Sequence, residues 1–383
     1  MDSGTQQSSY IWGLDLIRFA AALMVVFFHL SWRQPDAQIG FDPGWVGVEI
    51  FFVISGFVIM GSAVNTSPIA FLERRFARLY PAAIVCVLIN FIFLRPFLQD
   101  AVSHNLSVST SPAALVDSLL LIKVPFVVSA LWTLPIELGF YALIAFALIR
   151  NWTGHVVTIA GALILWSALY LIAFALSEFH LIGLHVPTLG YGPLNLSMLR
   201  HGCFFGTGML LWRVSTREPQ LREMGLLLLG IALCCTEIAA RSAELIPFYA
   251  YPVSLAALCH GALLTFTGAI AALWFFILTN DRLKPAPAVK AVLRQLGLMT
   301  YPLYLLHEGV GGITYSLLRE SGAAHAASVC CGVALSLIVS LVVVIAIEPW
   351  MRRRLLGLLH PLLEHITARP AINHLLGRFT ARA

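Results

Sequence analysis

The sequence predicts an all-α integral membrane protein, a bundle of about ten transmembrane helices with both termini in the cytoplasm. Hydrophobic residues make up 59% of the 383 residues and charged residues only 11%, far below the roughly 25% charge of soluble domains. Apolar segments of about 20 residues, long enough to cross a bilayer, recur along most of the chain. Most Lys and Arg residues fall in alternate connections between these segments, as the positive-inside rule requires.

Each predicted span is an apolar run that ends at a polar or proline-containing break. The predicted spans are 12–31, 45–62, 79–98, 131–150, 154–176, 194–213, 224–240, 252–279, 296–318 and 326–348. The run 112–128 is also apolar, but it contains Asp117, Lys123 and Pro125, so we expect a re-entrant or surface helix there. A full span at that place would reverse the orientation of every later helix.

The chain is expected to form one transmembrane domain, residues 1–350, followed by a cytoplasmic amphipathic basic tail, residues 351–383. The tail combines leucines with Arg352, Arg353 and Arg354, a pattern typical of a helix lying on the inner face of the cytoplasmic (inner) membrane. The net charge of +5 therefore indicates topology and a lipid bilayer as partner, and not nucleic acid. The seven cysteines show no metal-ligand spacing, so neither a metal site nor a disulfide framework is predicted.

Two ionisable residues, Arg18 and His29, lie in the first predicted span, eleven positions apart. Eleven residues are almost three helical turns, so both side chains project from one face, roughly 16 Å apart along the axis. Ionisable residues within a span normally face a water-filled cavity or a partner, which makes the pair a functional-site hypothesis. The imidazole of His29 titrates near neutral pH and suits a general base. Alternatively, Arg18 could snorkel to the surface and His29 could mark the outer interface.

An arginine cluster lies at the cytoplasmic start of the third predicted span. Arg75 and Arg78 are one turn apart, and a guanidinium pair of this kind can bind phosphate in a planar, bidentate way. We interpret Arg74 as a topology anchor, and an anchoring role is the alternative for the whole cluster.

Two further polar clusters lie in later spans. Glu137 and Tyr141 share a helix face at i and i+4, so the carboxylate can bond the phenol or orient an imidazole. A solvated interfacial position is the alternative for Glu137. Tyr304 and His307 are one turn apart, with Glu308 beside them, and the glycines that follow permit a break in the helix. For His307 the alternative is a buried packing residue.

Together and in this order, the motifs resemble the acyltransferase 3 family of membrane O-acyltransferases. The matching elements are Arg18 and His29, the run Gly47 to Phe57, Arg75 and Arg78 with the continuation to Pro81, the pattern Trp132, Leu134, Glu137, Phe140 and Tyr141, and the late Tyr301, Tyr304 and His307. Glu348-Pro349 resembles the closing Glu-Lys-Pro of the family with the middle residue missing. The resemblance spans residues 14–353, nearly the whole chain. It departs at Pro135, and we expect a stand-alone form without an SGNH-type hydrolase domain.

The resemblance implies transfer of an acyl group, usually acetyl, to a hydroxyl of a carbohydrate or cell-surface glycan. It implies acyl-CoA (acetyl-CoA) from the cytoplasm as co-substrate, with its headgroup at Arg75 and Arg78, and no metal. The acceptor stays open, because the outer loops 177–191 and 241–251, which we expect to form its pocket, carry no readable specificity.

Our mechanistic hypothesis gives roles to four residues. His29 is expected to act as base toward the acceptor hydroxyl or as a transient acyl carrier. Arg18 is expected to orient the donor or to stabilise charge along its route, and Glu137 and His307 are expected to support the site or shuttle protons. A membrane transporter or flippase of a glycan or small polar substrate is the alternative, because ionisable residues within spans also line substrate and proton routes.

Overall fold

The computed structural model of the protein describes residues 10–34, 41–97, 109–121, 126–181 and 198–367, with side chains through residue 357. Within these ranges the chain is helical and contains no β-strand. The predicted all-α architecture is therefore confirmed.

The α-helices of the described residues are numbered in chain order. They are α1 (Trp12–Ser31), α2 (Gly47–Ala63), α3 (Pro68–Leu94), α4 (Pro112–Leu120), α5 (Thr133–Ile149), α6 (Val156–Glu178), α7 (Met198–Thr216), α8 (Leu221–Leu245), α9 (Leu255–Thr279), α10 (Pro287–Leu306), α11 (Gly312–Glu320), α12 (His325–Val342) and α13 (Glu348–Thr367). Two π-helical segments, His307–Gly311 and Val343–Ile347, join α10 to α11 and α12 to α13. Short 3₁₀ helices, Asp42–Val46 and Ser129–Trp132, lead into α2 and α5.

Helices occupy all ten places where the sequence predicts a span. Eight of the helices in the described ranges are long and apolar enough to cross a membrane, so the chain is an integral multi-pass membrane protein. The helices at the other two predicted places, α7 and α10 with α11, carry more polar residues and are not among those eight. The count of ten spans and the cytoplasmic location of both termini stay predictions.

The helix α3 begins eleven residues before the predicted start at 79. Pro68 occupies the first turn, where its missing N–H is harmless. The side chain of Ser67 caps the helix by accepting a hydrogen bond from the amide of Ala70 at 3.3 Å. As a consequence the arginine cluster lies inside a helix and not at its entrance.

The apolar run 112–128 contains a single short helix in its described part. α4 has nine residues and ends at Leu120, and the next residue, Leu121, caps it with a left-handed φ of 55°. Nine residues rise about 14 Å, less than half of the hydrocarbon thickness. The helix is therefore no full span, as the sequence predicts, while residues 122–125 with Lys123 lie outside the described ranges.

At the C-terminal end, α13 follows the π-helical segment directly and runs through the predicted domain boundary at 350. The division into 1–350 and 351–383 stays a prediction, because residues 368–383 lie outside the described part of the chain.

Glycines bring α7 into close contact with two neighbouring helices. A Cβ atom on Gly208 would lie 1.9 Å from the carbonyl oxygen of Val53 in α2, and one on Gly206 would lie 2.8 Å from the carbonyl oxygen of Ala160 in α6. The absence of a side chain therefore lets the backbones approach to a distance that no other residue permits. α7 therefore packs closely against both α2 and α6.

A buried ion-pair cluster ties α7 to α8. Arg200 is 2% exposed, and its Nε lies 2.5 Å from Oε1 of Glu237, while its Nη2 lies 3.0 Å from Oε2 of Glu244. The two carboxylates compensate the guanidinium inside the bundle, and removal of one member would leave the others buried without compensation.

We expect Arg200→Met to destabilise the protein by about 3 to 5 kcal/mol, the usual effect of breaking a buried ion pair from one side. The measurement is thermal unfolding of the purified protein in detergent. Arg217→Met, the same change at an exposed position just after α7, is the control. Equal melting temperatures of the two variants would show that the cluster contributes no stability.

Candidate active site

A cavity of about 370 Å³ opens between α1, α2, α3, α5, α10 and α13. The charged residues of its described lining are Arg18, Arg74, Arg75, Arg78, Arg352, Glu137 and Glu348. Five guanidinium groups face two carboxylates, so the wall of this cavity is strongly cationic. The structure thus brings the predicted Arg18, Arg75, Arg78 and Glu137 to one place.

Arg74 lines the cavity beside Arg75 and Arg78, and its role as a topology anchor stays a prediction. Arg75 is fixed on two sides: its Nη2 donates a hydrogen bond to Oγ of Ser62 at 2.9 Å, and its guanidinium carbon lies 5.6 Å from the ring centre of Phe71. Its Nε is buried without a hydrogen-bond partner.

Glu137 belongs to this cavity and not to the surroundings of His29. Its Oε1 accepts a hydrogen bond from the hydroxyl of Tyr141 at 2.5 Å, which is the i, i+4 contact that the sequence predicts. Glu137 and Tyr141 both line the cavity. The carboxylate therefore balances part of the arginine charge and orients no imidazole.

His29 lies about 16 Å further along α1 than Arg18, by the helical rise. Its Nδ1 donates a hydrogen bond to the carbonyl oxygen of Val25 at 2.9 Å, which leaves the lone pair on Nε2. Nε2 lies 3.8 Å from Oε1 of Glu308, and the His29 side chain is 27% exposed. The imidazole is thus accessible, held in one tautomer and placed beside a carboxylate.

The carboxylate partner of His29 is Glu308, which in the sequence stands out only as a neighbour of His307. Its Oε1 accepts a hydrogen bond from Oγ of Ser129 at 2.5 Å, and its Oε2 accepts one from the amide of Ala130 at 2.9 Å. Both donors come from the 3₁₀ helix before α5. These bonds orient the carboxylate and hold it close to the imidazole.

His307 completes this outer cluster. Its ring centre lies 4.9 Å from that of His29, its Nδ1 donates to the carbonyl oxygen of Tyr304 at 2.6 Å, and its Nε2 is buried without a partner. The possible ligand atoms of His29, His307 and Glu308 lie within 4.8 Å of one another, so these residues could also hold a metal ion. We interpret them as acid–base groups, and the absence of a metal stays a prediction.

A π-helical turn presents the consecutive residues His307 and Glu308 to the same cluster. Such a turn frees a backbone carbonyl, and Nδ2 of Asn90 donates a hydrogen bond to the carbonyl oxygen of Leu305 at 2.8 Å. A Cβ on Gly309 would lie 2.1 Å from Oδ1 of Asn90. The glycine therefore makes room for the amide that holds the turn, as its place in the sequence predicts.

Tyr304 joins the cavity to the outer cluster. Its side chain lines the cavity, and its ring centre lies 5.8 Å from that of His307 and 6.0 Å from that of Phe51. The cationic cavity and the histidines are thus separated by about one helical turn along α10.

A family model described as an acyltransferase domain matches residues 11–345. The chain belongs to the acyltransferase 3 family. This match contains Arg18, His29, Arg75, Arg78, Glu137, His307 and Glu308, and it ends before Glu348 and Arg352.

Two relatives of this acyltransferase 3 chain are named as O-acetyltransferases. It is 30% identical over 220 residues to an O-acetyl transferase of Shigella phage Sf6, covering 52% of this chain and 62% of the phage protein. It is 33% identical over 103 residues to the putative peptidoglycan O-acetyltransferase YrhL of Bacillus subtilis (strain 168), covering 25% of this chain and 15% of that protein. The chain thus spans less than two thirds of these relatives. No solved structure matches it.

We expect Gly309→Ala to destabilise this acyltransferase 3 chain by about 1 to 3 kcal/mol, because the new methyl group would displace Asn90 from the π-helical turn. The measurement is thermal unfolding in detergent. Gly139→Ala in α5 is the matched control, since a Cβ there meets nothing within 4 Å. A lower melting temperature for the control than for Gly309→Ala would contradict the assigned role of Gly309.

Proposed function

We propose that the protein transfers an acyl group, in the simplest case acetyl, from cytoplasmic acyl-CoA to a hydroxyl of a carbohydrate or cell-surface glycan, as an enzyme of the cytoplasmic (inner) membrane. The observation that carries the proposal is the pairing of a cationic cavity with a histidine–glutamate cluster one turn beyond it. Membership of an acyltransferase family and the O-acetyltransferase relatives support the same chemistry.

The donor binds on the cationic side. CoA carries phosphate groups, and Arg75 and Arg78 lie one turn apart on the cavity wall with guanidinium donors suited to phosphate oxygens. Arg18, deeper along α1, lies within electrostatic range of Arg78 and Glu137. In that position Arg18 orients the donor between the phosphates and the outer cluster.

The acceptor reacts at the outer cluster. Nε2 of His29 takes the proton of the acceptor hydroxyl, and the oxygen attacks the thioester carbonyl carbon. The C–S bond breaks, the acyl group stays on the acceptor oxygen, and the CoA thiolate receives the proton from His29. Glu308 stabilises the imidazolium that forms in between, because its carboxylate lies 3.8 Å from Nε2.

His307 supports this site from the side of α10. Its buried, unpartnered Nε2 beside the His29 ring offers a hydrogen-bonding group to the substrates at the point of transfer. Glu137 acts on the donor side instead, since it shares the cavity with Arg75.

The test uses membranes that carry the protein, incubated with radiolabelled acetyl-CoA and a cell-envelope glycan extract. We expect label in the glycan. A transporter or flippase would move glycan across sealed vesicles and leave it unlabelled, and that outcome would refute acyl transfer.

In the same assay, we expect His29→Ala to lower the transfer rate by about 10²- to 10⁴-fold, the usual contribution of a general base. His260→Ala, at an exposed position of α9, should leave the rate unchanged. Both variants should insert into the membrane in normal amounts. Full acetylation by the His29 variant would remove this residue from the mechanism.

We expect Glu308→Gln to lower kcat by about 10²-fold while KM for acetyl-CoA and the melting temperature stay unchanged, because the amide keeps the shape but loses the charge that stabilises the imidazolium. The control is Glu218→Gln at an exposed position. A rise of the donor KM at constant kcat would place Glu308 in donor binding and contradict the assigned role.

A further inference from the structure

Three consecutive arginines, Arg352, Arg353 and Arg354, stand near the start of α13. From the sequence they form one basic run at the membrane surface. All three are exposed, but the structure separates them, because Arg352 lines the cationic cavity, Arg353 is not part of its lining, and Arg354 lies over the ring of Trp350, 5.8 Å from its centre.

The start of α13 places Arg352 at the cavity. Glu348 and Arg352 are four residues apart and share a helix face, and both line the cavity together with Arg78 from α3. α13 packs along α3. Arginines therefore reach this wall from two different helices, at the end of the cavity nearest to the predicted cytoplasmic side.

Glu348 is the counter-charge between these arginines. Its carboxylate lies within electrostatic range of both Arg352 and Arg78. One carboxylate between two guanidinium groups leaves a net positive charge, and a phosphate group of higher charge competes well for the same donors.

We propose that Arg352 is a third phosphate-binding residue of the donor site. Arg352 binds the nucleotide part of the donor from α13, and Arg75 and Arg78 bind it from α3. This inference rests on the proposed use of a CoA thioester. It makes the helix after the last predicted span a part of the binding site, although that helix lies beyond the residues that the family model matches. Without phosphate, Glu348 offsets part of the charge of Arg352 and Arg78.

The test measures binding of CoA to the purified full chain in detergent by isothermal titration calorimetry. We expect Arg352→Gln to weaken CoA binding about tenfold and to reduce its salt dependence, because one cationic contact is lost. Arg353→Gln, the adjacent and exposed arginine, is the matched control and should bind as the wild type does. Arg352→Lys should fall between them, since lysine keeps the charge but cannot bind in a bidentate way.

A fourth variant gives an effect of opposite sign. Glu348→Gln should strengthen CoA binding, because it removes the carboxylate that competes with phosphate. A merely structural role of this pair predicts weaker binding or a lower melting temperature for both Arg352→Gln and Glu348→Gln, and that result would overturn the proposal.

The remaining outcomes separate this inference from the proposed function. If the wild type binds CoA and the Arg352→Gln and Arg353→Gln variants bind it with equal affinity, the proposed role of Arg352 is overturned. The proposed function is left standing by that result. Absence of CoA binding by the wild type would overturn the proposed donor and this inference with it.

Discussion

An ionisable side chain inside an apolar helix bundle must face a partner or a polar cavity, because its transfer into hydrocarbon is costly. This constraint organises the described part of the chain. Arg200 is paired with two carboxylates in an ion-pair cluster between α7 and α8. Arg18 and the arginines of α3 face a cavity. His29 faces the carboxylate of Glu308, which is itself held by two hydrogen bonds.

The Arg200 cluster is closed to solvent, whereas the cavity and the surroundings of His29 are open. This difference in accessibility distinguishes a structural cluster from a candidate functional site. The guanidinium of Arg200 is nearly inaccessible and bonded to its carboxylates. Arg75 instead lines the cavity, and the His29 side chain is 27% exposed. Charged and titratable side chains that stay accessible in a cavity are typical of a site that a ligand completes.

Two irregular backbone segments lie where the two open arrangements meet. The π-helical turn after α10 presents His307 and Glu308 together, and Asn90 bonds the carbonyl of Leu305. The 3₁₀ helix Ser129–Trp132 supplies the donors that fix Glu308. Both irregular segments lie next to the helices that line the cavity, so one rigid frame positions the donor side and the acceptor side of the proposed reaction.

Local pattern was enough to predict the helices and much of the site. Apolar runs gave the helix positions, with the largest error at α3, where the cap at Ser67 lies outside the apolar run. Helical spacing gave the common faces of Arg18 with His29 and of Glu137 with Tyr141. It could not show which carboxylate lies beside which cation, so the sequence left open whether Glu137 bonds Tyr141 or orients an imidazole.

The sequence by itself determined that the chain is a membrane-embedded helical protein of an acyltransferase family, because hydropathy, helical period and short motifs are local properties. Only the tertiary structure decided that Glu308 is the partner of His29, and that Arg352 belongs to the cavity while Arg353 does not. The reason is physical: these contacts join helices that are distant in sequence, and one residue of difference turns a side chain by about 100° around the helix axis.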